Sequence, residues 1–278
     1  MNVSCMSLLY EMFDSPKPVV GMVHVQALPG APFAAMSAGE IVERASEEAR
    51  VLADAGFDGL IIENMHDRPY LRQTAGPEVV ACMTAVVDKV CAVVDLPVGV
   101  QILAGANRAA LAVAASSGAT FIRAENFVFA HVADEGLMAN ADAGALLRYR
   151  REIGAEHVRI FVDIKKKHAS HAITADVTLA DTAKAAAFFG ADGIIVTGGA
   201  TGEATAVHDV RDARAGGELP VLVGSGVTPE NLVTLWNDAD GFIVGSYLKH
   251  DGVWHQPLDP DRMDCLMRAV QTLRKEAS

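Results

Sequence analysis

Short apolar runs alternate with alanine-rich amphipathic runs eight times along the chain, and this pattern constrains the fold more than any other feature. The apolar runs have the length of buried strands, and the segments between them have the length of helices. Strands that alternate with helices indicate parallel βαβ units. The predicted strands are Val19–Val25, Gly59–Asn64, Pro97–Leu103, Phe121–Asn126, Arg159–Lys165, Gly193–Gly198, Pro220–Gly226 and Gly241–Ser246.

Eight such units predict an α/β fold, a single (β/α)8 TIM barrel, which typically needs about 250 residues. The chain has 278 residues, so we expect the barrel over residues 19–278 and a short N-terminal lead-in over residues 1–18. We expect the lead-in to form a short helix or a cap over the bottom of the barrel. The alternative is an open nucleotide-binding sheet, but the first strand lacks the glycine fingerprint of that fold and continues as HVQALPGAP.

The charge balance and the apolar runs limit the partners of the chain. Its 23 Lys and Arg against 35 Asp and Glu give a net charge of −12, which argues against a nucleic-acid partner. No apolar run approaches ~20 residues, so we expect no integral membrane segment. We also expect no signal peptide in residues 1–18 and no disulfide framework, since the four cysteines include no CxxC pair. These features predict a cytoplasmic protein.

Two neighbouring strands near the C-terminus end in glycine and serine, and a third ends in a glycine-rich loop. In (β/α)8 barrels the loops after the last two strands and a nearby helix N-terminus surround a phosphate group. We therefore predict a small phosphorylated metabolite as the ligand, although such residues also make plain tight turns. The predicted phosphate-binding residues are Gly198, Gly224, Ser225, Gly226, Gly245 and Ser246.

Polar side chains interrupt the apolar strands mainly toward their C-terminal ends. Barrel enzymes place their chemistry at that end, and a buried polar group is costly unless it is satisfied. We therefore predict a polar mouth that binds substrate. The alternative is an ion-pair network, such as Arg123 with Glu63, that only fills the barrel. The predicted substrate-binding residues are His24, Asn64, Gln101, Arg123, Glu125, Lys165 and Thr197.

Four residues at this end are predicted to be catalytic: Glu63, Asp163, Lys167 and His168. Asp163 would keep Lys167 charged and in place. A lysine there can act as a Schiff-base nucleophile, as an acid–base group or as a fixed charge, and His168 can move a proton near neutral pH. Its neighbour Lys166 is expected to face solvent.

Metal binding is a weaker hypothesis. Carboxylate oxygens are ligands that suit Mg²⁺, and four carboxylates fall near the predicted mouth. Their spacing is not diagnostic, so we predict no metal ligand and no certain cofactor, with Mg²⁺ as the only candidate. The four residues are Glu63, Asp67, Glu125 and Asp163.

Short motifs follow one another in a fixed order between about residues 17 and 270. They are Val20-Gly21-Met22-Val23-His24, Leu28-Pro29-Gly30-Ala31-Pro32, Ile62-Glu63-Asn64, Leu147-Arg148-Tyr149-Arg150-Arg151, Asp163-x-x-x-Lys167-His168-Ala169, Val196-Thr197-Gly198-x-x-Thr201-Gly202 and Val223-Gly224-Ser225-Gly226-Val227-Thr228. Together they resemble the motifs of the BtpA/SgcQ family. The resemblance covers nearly the whole chain.

This resemblance implies a barrel of the ribulose-phosphate-binding type and two different functions. Cyanobacterial members are linked to photosystem I biogenesis, whereas other bacterial members accompany sugar-catabolic genes. We therefore expect an enzyme acting on a small phosphorylated sugar or nucleoside-like substrate, as a lyase, an isomerase or a glycosidic hydrolase. The alternative is a non-catalytic assembly or stability factor for a photosynthetic membrane complex.

The apolar segment Leu8–Phe13 raises the question of self-association. An exposed apolar surface of this kind can be the contact between two copies of a chain, which predicts a homo-oligomer. The alternative is that the same residues pack under the protomer's own barrel.

Overall fold

The computed structural model describes residues 5–276, and eight of its strands close into a parallel barrel. Around the barrel the strands follow the order β1, β2, β3, β4, β7, β9, β10 and β11, and β11 pairs with β1. The predicted (β/α)8 barrel is therefore confirmed. The strands over the described residues are β1 Val19–His24, β2 Gly59–Glu63, β3 Val98–Gln101, β4 Phe121–Ala124, β5 His131–Ala133, β6 Gly136–Met138, β7 Arg159–Asp163, β8 Ala169–Ser170, β9 Gly193–Val196, β10 Val221–Val223 and β11 Gly241–Val244.

Helices connect the barrel strands and cover the outside of the barrel. Capping boxes begin three of these helices, with Ser37, Thr178 and Thr228 as the capping residues. In the described part of the chain, no helix is long and apolar enough to cross a bilayer. The helices are α1 Cys5–Phe13, α2 Ala38–Asp54, α3 Pro77–Val93, α4 Asn107–Ser117, α5 Ala143–Glu152, α6 Leu179–Phe188, α7 Val207–Arg214, α8 Pro229–Leu235 and α9 Pro260–Glu276.

The lead-in helix α1 lies under the barrel. Leu9 and Phe13 are buried and belong to the same apolar cluster as the lower interior of the barrel. The ring of Phe13 meets Phe121 edge to face at 5.6 Å, and Phe121 meets Phe161 in the same way at 5.7 Å. Leu9 and Phe13 therefore pack on the protomer's own barrel, which agrees with the alternative to self-association. Tyr10 is 54% exposed. A homo-oligomer stays a prediction.

A small antiparallel sheet stands over one side of the barrel mouth. Strand β5 pairs with β6 in a hairpin that follows β4, and β8, which follows β7, adds to the other edge of β5. The sequence pattern did not predict this sheet, because its strands are only two or three residues long. The hairpin forms part of the wall around the site described next.

Candidate active site at the carboxyl end of the barrel

Three neighbouring strands bring His24, Glu63 and Gln101 side by side at the mouth. These residues are the last of β1, β2 and β3, and the strand register pairs His24 with Glu63 and Glu63 with Gln101. All three are buried. The prediction that polar residues gather at the carboxyl end of the strands therefore agrees with the geometry, while their roles stay predictions.

Glu63 is a buried carboxyl group without a short hydrogen bond in the described residues. Its nearest ion-pairing partner is Nε2 of His24, at 3.9 Å from Glu63 Oε2. Burial raises the pKa of Glu63, and the charge of Arg123 opposes that rise. Because burial favours the neutral form, Glu63 is suited to give or take a proton.

His24 is held in one tautomer by the loop that follows β11. Its Nδ1 lies 3.0 Å from the carbonyl oxygen of Trp254, and a carbonyl oxygen only accepts, so Nδ1 carries the proton. Burial lowers the pKa of His24 to about 3, and the ring is therefore neutral at physiological pH. Its Nε2 is left as an acceptor that faces Glu63.

Lys167 brings an amine into the same mouth. Its backbone N–H donates to Oγ1 of Thr197 at 3.1 Å, which fixes the loop after β7. Burial, followed by the charge of Arg123, lowers the pKa of Lys167. No carboxylate of the described residues lies within 4.0 Å of its Nζ, so this amine is available as a base or nucleophile.

Asp163 has a different partner from the predicted one. Arg123 Nε and Nη2 donate to its two carboxylate oxygens at 3.0 and 2.9 Å, and both side chains are buried. The pair forms because β4 and β7 are neighbours in the barrel. The expected ion pair between Asp163 and Lys167 is therefore wrong, and so is the alternative pairing of Arg123 with Glu63. Asp163 acts on Lys167 only as a nearby charge.

The positions of the two preceding lysines also differ from the prediction. The strand ends at Asp163, and Lys165 has a left-handed φ of 49°, which reverses the expected alternation. Lys165 therefore turns away from the mouth and donates to the carbonyl of Val177. Lys166 is buried rather than solvated: its Nζ lies 3.2 Å from Glu125 and 3.9 Å from Glu135.

Two further predicted residues, His168 and Asn64, are hydrogen-bonded to other parts of the protein. His168 is exposed, and the backbone N–H of Thr201 donates to its Nε2 at 3.0 Å, which ties the β7 and β9 loops together. The side-chain oxygen of Asn64 accepts a hydrogen bond from the backbone N–H of Leu103 at 2.8 Å, and its amide nitrogen donates to Asp67 at 3.1 Å. These two residues hold loops in place, and a contact with substrate stays a prediction for both.

Gln101 is different, because its side-chain oxygen is buried and has no hydrogen-bond partner among the described residues. The residue is 2% exposed, it lines the mouth cavity, and its Oε1 makes no hydrogen bond within the described residues. A buried amide without partners is costly. The sequence singled out Gln101 only as a polar residue among valines.

Three connected spaces form the site. A mouth cavity of about 260 Å³ shares Glu63, Met65, Lys167 and Thr201 with a narrow space of about 30 Å³. That narrow space adjoins a cleft of about 180 Å³. The residues shared by the narrow space and the cleft are Gly202, Gly226, Gly245 and Ser246. The three spaces therefore lie in a row, from the glycine-lined cleft past Lys167 to the mouth cavity, and we call this row the path.

Glycine is required at one point of this path, Gly226, and fits a tight contact at a second, Gly245. Gly226 has a left-handed φ of 62°, and a Cβ there would lie 2.3 Å from the carbonyl oxygen of Glu203. At Gly245 a Cβ would lie 3.1 Å from Nε2 of His24. Gly224 and Ser225 line only the narrow space, where the Ser225 hydroxyl already donates to the carbonyl of Glu203 at 3.1 Å.

Gly198 does not line the cleft. A Cβ on Gly198 would lie 2.4 Å from the carbonyl oxygen of Glu203, so this glycine permits the β9 loop to pack closely. The geometry thus gathers five of the six predicted phosphate-binding residues along the path and leaves Gly198 behind it.

Sequence reasoning missed several residues of the site. Trp254, Arg68 and Tyr70 line the mouth cavity, and Arg262 lines the cleft. The guanidinium of Arg68 lies 5.1 Å from the centre of a Trp254 ring, and that of Arg262 lies 4.2 Å from the ring of Tyr247. For Trp254, Arg68 and Tyr70 the available signal was their position in loops that follow barrel strands. Arg262 lies in α9 and had no such signal.

The structure does not gather the carboxylates named for Mg²⁺. Asp67 accepts hydrogen bonds from the Leu28 backbone N–H at 2.7 Å and from Asn64, while Asp163 and Glu125 are paired with Arg123 and Lys166. Over residues 5–276 no three His, Cys, Asp or Glu side chains form a group that could hold a metal ion.

The fold and site define a (β/α)8 barrel with an elongated cleft at the carboxyl ends of its strands. The chain belongs to the BtpA family, whose model matches residues 15–272. A Caenorhabditis elegans protein described as uncharacterized and mitochondrial is 45% identical to this chain. The match covers 95% of this chain and 97% of that protein. The Photosystem I biogenesis protein BtpA of Synechocystis is 37% identical, over 94% of this chain and 91% of its own.

Solved structures with the same fold are more distant. The (S)-3-O-geranylgeranylglyceryl phosphate synthase of Thermoplasma acidophilum has a TM-score of 0.61 at 14% identity, over 97% of this chain and 99% of that one. A dihydropteroate synthase of Xanthomonas albilineans has a TM-score of 0.58 at 17% identity, over 95% and 93%. These likenesses concern the fold alone. The mitochondrial label of the worm relative means that a cytoplasmic location for this chain stays a prediction.

Proposed function

We propose that this protein is an enzyme that moves a proton next to a carbonyl group in a small phosphorylated substrate, as an isomerase or a lyase. The observation that carries the proposal is the single path that joins the glycine-lined cleft to Lys167 and Glu63. The phosphate lies in the cleft against the backbone N–H groups of Gly226 and Ser246, with Arg262 as the nearby cation. The reacting carbons then lie beside Lys167.

The two groups at the narrow part of the path are suited to complementary steps. Burial favours the neutral form of both groups. In that form the amine of Lys167 takes the proton from carbon and the carboxyl group of Glu63 gives a proton to the carbonyl oxygen, which forms an enediol. In an isomerisation, Lys167 returns its proton to the neighbouring carbon while the Glu63 carboxylate takes the proton of the second hydroxyl, which forms the new carbonyl and restores both groups. In a lyase reaction, Glu63 takes back its proton from the enediol oxygen, the bond from the adjacent carbon to a leaving group breaks, and the leaving group takes the proton from Lys167. Lys167 can alternatively form a Schiff base, which borohydride would trap covalently.

Glycosidic hydrolysis is less well supported. Most such enzymes use two carboxyl groups across the scissile bond. At this mouth the carboxylates of Asp163 and Glu125 are held by Arg123 and Lys166. This leaves Glu63 as the buried carboxyl group of this set that has no cation bound to it.

A thermal-shift comparison tests the phosphate site. Ribose 5-phosphate should raise the melting temperature of the wild type at millimolar concentration, whereas ribose should not, because a bound ligand stabilises the folded state. Arg262→Gln should weaken the shift, and Arg268→Gln, on an exposed part of the same helix, should leave it unchanged. No shift with any of a panel of sugar phosphates would contradict the proposal.

The name of the Synechocystis relative favours a second candidate, an assembly factor without turnover. Such a factor has no need of the Lys167 amine. In a strain that lacks the gene, Lys167→Met should fail to restore the wild-type phenotype if the protein is an enzyme. Full restoration by Lys167→Met would favour the assembly factor.

A further inference from the structure

The mouth cavity extends beyond the groups that the proposed reaction uses. It lies on the far side of Lys167 and Glu63 from the glycine-lined cleft, and its volume is about 260 Å³. A cavity of roughly 150 Å³ in a protein core is enough to hold a benzene ring. The space is therefore large enough for a second chemical group of the substrate, attached to the phosphorylated part.

The charges around this cavity disfavour a second phosphate. Lys166 is held by Glu125 and Glu135, and Arg68 lies against the ring of Trp254. Asp134 adds a further acidic side chain to the wall. Lys166 is thus paired, Lys167 belongs to the reacting half of the site, and Arg68 is the other cationic side chain of the described lining. Because Glu125, Asp134 and Glu135 lie on the same wall, the cavity suits an uncharged group better than a second phosphate.

The walls are suited to a flat ring. Met65, Tyr70, Leu103 and Trp254 line the cavity with apolar and aromatic surface. The hydroxyl of Tyr70 is used on the carbonyl of Met65 at 2.7 Å, so its ring rather than its polar end is available to a ligand. Aromatic walls favour flat rings, which stack on them or meet them edge to face.

Gln101 supplies the polar contact. Its side chain is buried and lines the cavity, and its Oε1 makes no hydrogen bond to the described residues. Two neighbouring pairs at this level are bonded, Arg123 with Asp163 and Lys166 with Glu125. A primary amide offers one acceptor and a donor side by side, which matches a ring edge that carries a donor next to an acceptor.

We propose that the mouth cavity binds a planar nitrogen-containing ring of the substrate, and that Gln101 recognises the donor–acceptor edge of that ring. This inference rests on the proposed function, because it assigns the second half of the same phosphorylated substrate. It narrows the substrate class to a phosphorylated sugar that carries a heterocycle. Gln101 is then the residue that determines specificity, whereas the cleft determines phosphate binding.

Calorimetric titrations of the full chain test this proposal with two kinds of probe. One probe is ribose 5-phosphate, which fills only the cleft. The others are nicotinamide mononucleotide and the 5′-monophosphates of adenosine, guanosine, cytidine and uridine, which add a ring. At least one nucleotide should bind the wild type 10-fold or more tightly than ribose 5-phosphate.

Gln101→Leu should remove that advantage and leave the affinity for ribose 5-phosphate within about twofold of the wild type. Gln256→Leu makes the same change at an exposed position of the β11 loop and should alter neither affinity. Equal binding of every nucleotide and ribose 5-phosphate would overturn the ring site while the phosphate site stands. An unchanged preference in Gln101→Leu would overturn the role of Gln101. A failure of all six compounds to bind would overturn the proposed function itself.

Discussion

The barrel interior has two layers: the lower layer consists of packed apolar side chains, and the upper layer contains buried polar side chains. In the lower layer Phe13, Phe121 and Phe161 meet edge to face and lie among apolar residues of the strands. In the upper layer Glu63 and Gln101 are buried without a short hydrogen bond to the described residues. Buried apolar contacts stabilise the fold, whereas unpaired buried polar groups cost stability. The lower layer therefore supplies stability, and the upper layer holds the polar groups that we propose bind the substrate.

The largest expected effect is on the lower layer. Phe161→Ala should lower the free energy of unfolding by about 3–5 kcal/mol, because the removed ring is 1% exposed and leaves a cavity. Phe188→Ala removes the same ring at a position that is 86% exposed and should change stability by at most about 0.5 kcal/mol. Urea unfolding measures both. A loss below about 1 kcal/mol in Phe161→Ala would break the contrast between the layers.

Lys166 tests whether a polar group of the upper layer can also be structural. Lys166→Met leaves Glu125 and Glu135 buried without their cation and should cost about 3–5 kcal/mol in urea unfolding. The same change at the exposed Lys184 is the control and should have little effect. Equal stability of the two variants would mean that Lys166 is solvated, as the sequence first predicted.

Asp142, which directly precedes α5, tests the cost of a carboxyl group that is largely removed from solvent. Burial raises its pKa from 3.8 to about 6, against a hydrogen bond from Asn107. A raised pKa means that the folded state loses stability as pH rises from about 4 through about 6. Relative to Asp142→Asn, the wild type should lose up to about 3 kcal/mol over that range in urea unfolding. Asp176→Asn, at an exposed position, is the control; parallel pH profiles for wild type and Asp142→Asn would contradict the prediction.

Lys167 should separate function from stability. Lys167→Met should lower turnover at least ~100-fold, the scale of one acid–base or electrostatic group. Its melting temperature should stay at or above that of the wild type, because the removed amine is half-buried and has no carboxylate within 4.0 Å in the described residues. Turnover close to the wild-type value would exclude Lys167 from the chemistry.

Gln101 should change stability in the direction opposite to Phe161 and Lys166, and by less. Replacing an unpartnered buried amide by an apolar side chain of similar size, as in Gln101→Leu, should raise the free energy of unfolding by about 1–3 kcal/mol. Gln256→Leu should leave it unchanged. If Gln101→Leu destabilised the protein, the wild-type amide of Gln101 would have a partner in the folded state. The amide would then not be available to a ligand.

The sequence predicts the barrel well because apolar strands alternate with helices at a regular spacing. Polar residues stand out at the ends of these apolar strands, so the positions of Glu63 and Gln101 at the mouth could also be predicted. Prediction from the sequence fails where the chain leaves regular geometry. The left-handed φ at Lys165 ends the alternation of β7 and exchanges the environments of Lys165 and Lys166.

The second limit of sequence reasoning is distance along the chain. The partner of Asp163 is Arg123, 40 residues earlier, and only the closed barrel brings the two together. His24 donates a hydrogen bond to the carbonyl oxygen of Trp254, although the two residues are 230 positions apart in the sequence. Periodicity carries no information on such contacts, so the candidate site could be predicted as a set of residues but not as a set of pairs.

The most direct test of the account is a crystal structure of Lys167→Met with ribose 5-phosphate bound. The account predicts that the phosphate lies in the cleft, within hydrogen-bonding distance of the backbone N–H groups of Gly226 and Ser246, with the sugar directed toward residue 167 and Glu63. A phosphate bound outside this cleft, or a sugar directed away from Glu63, would contradict the claim that one ligand spans the path.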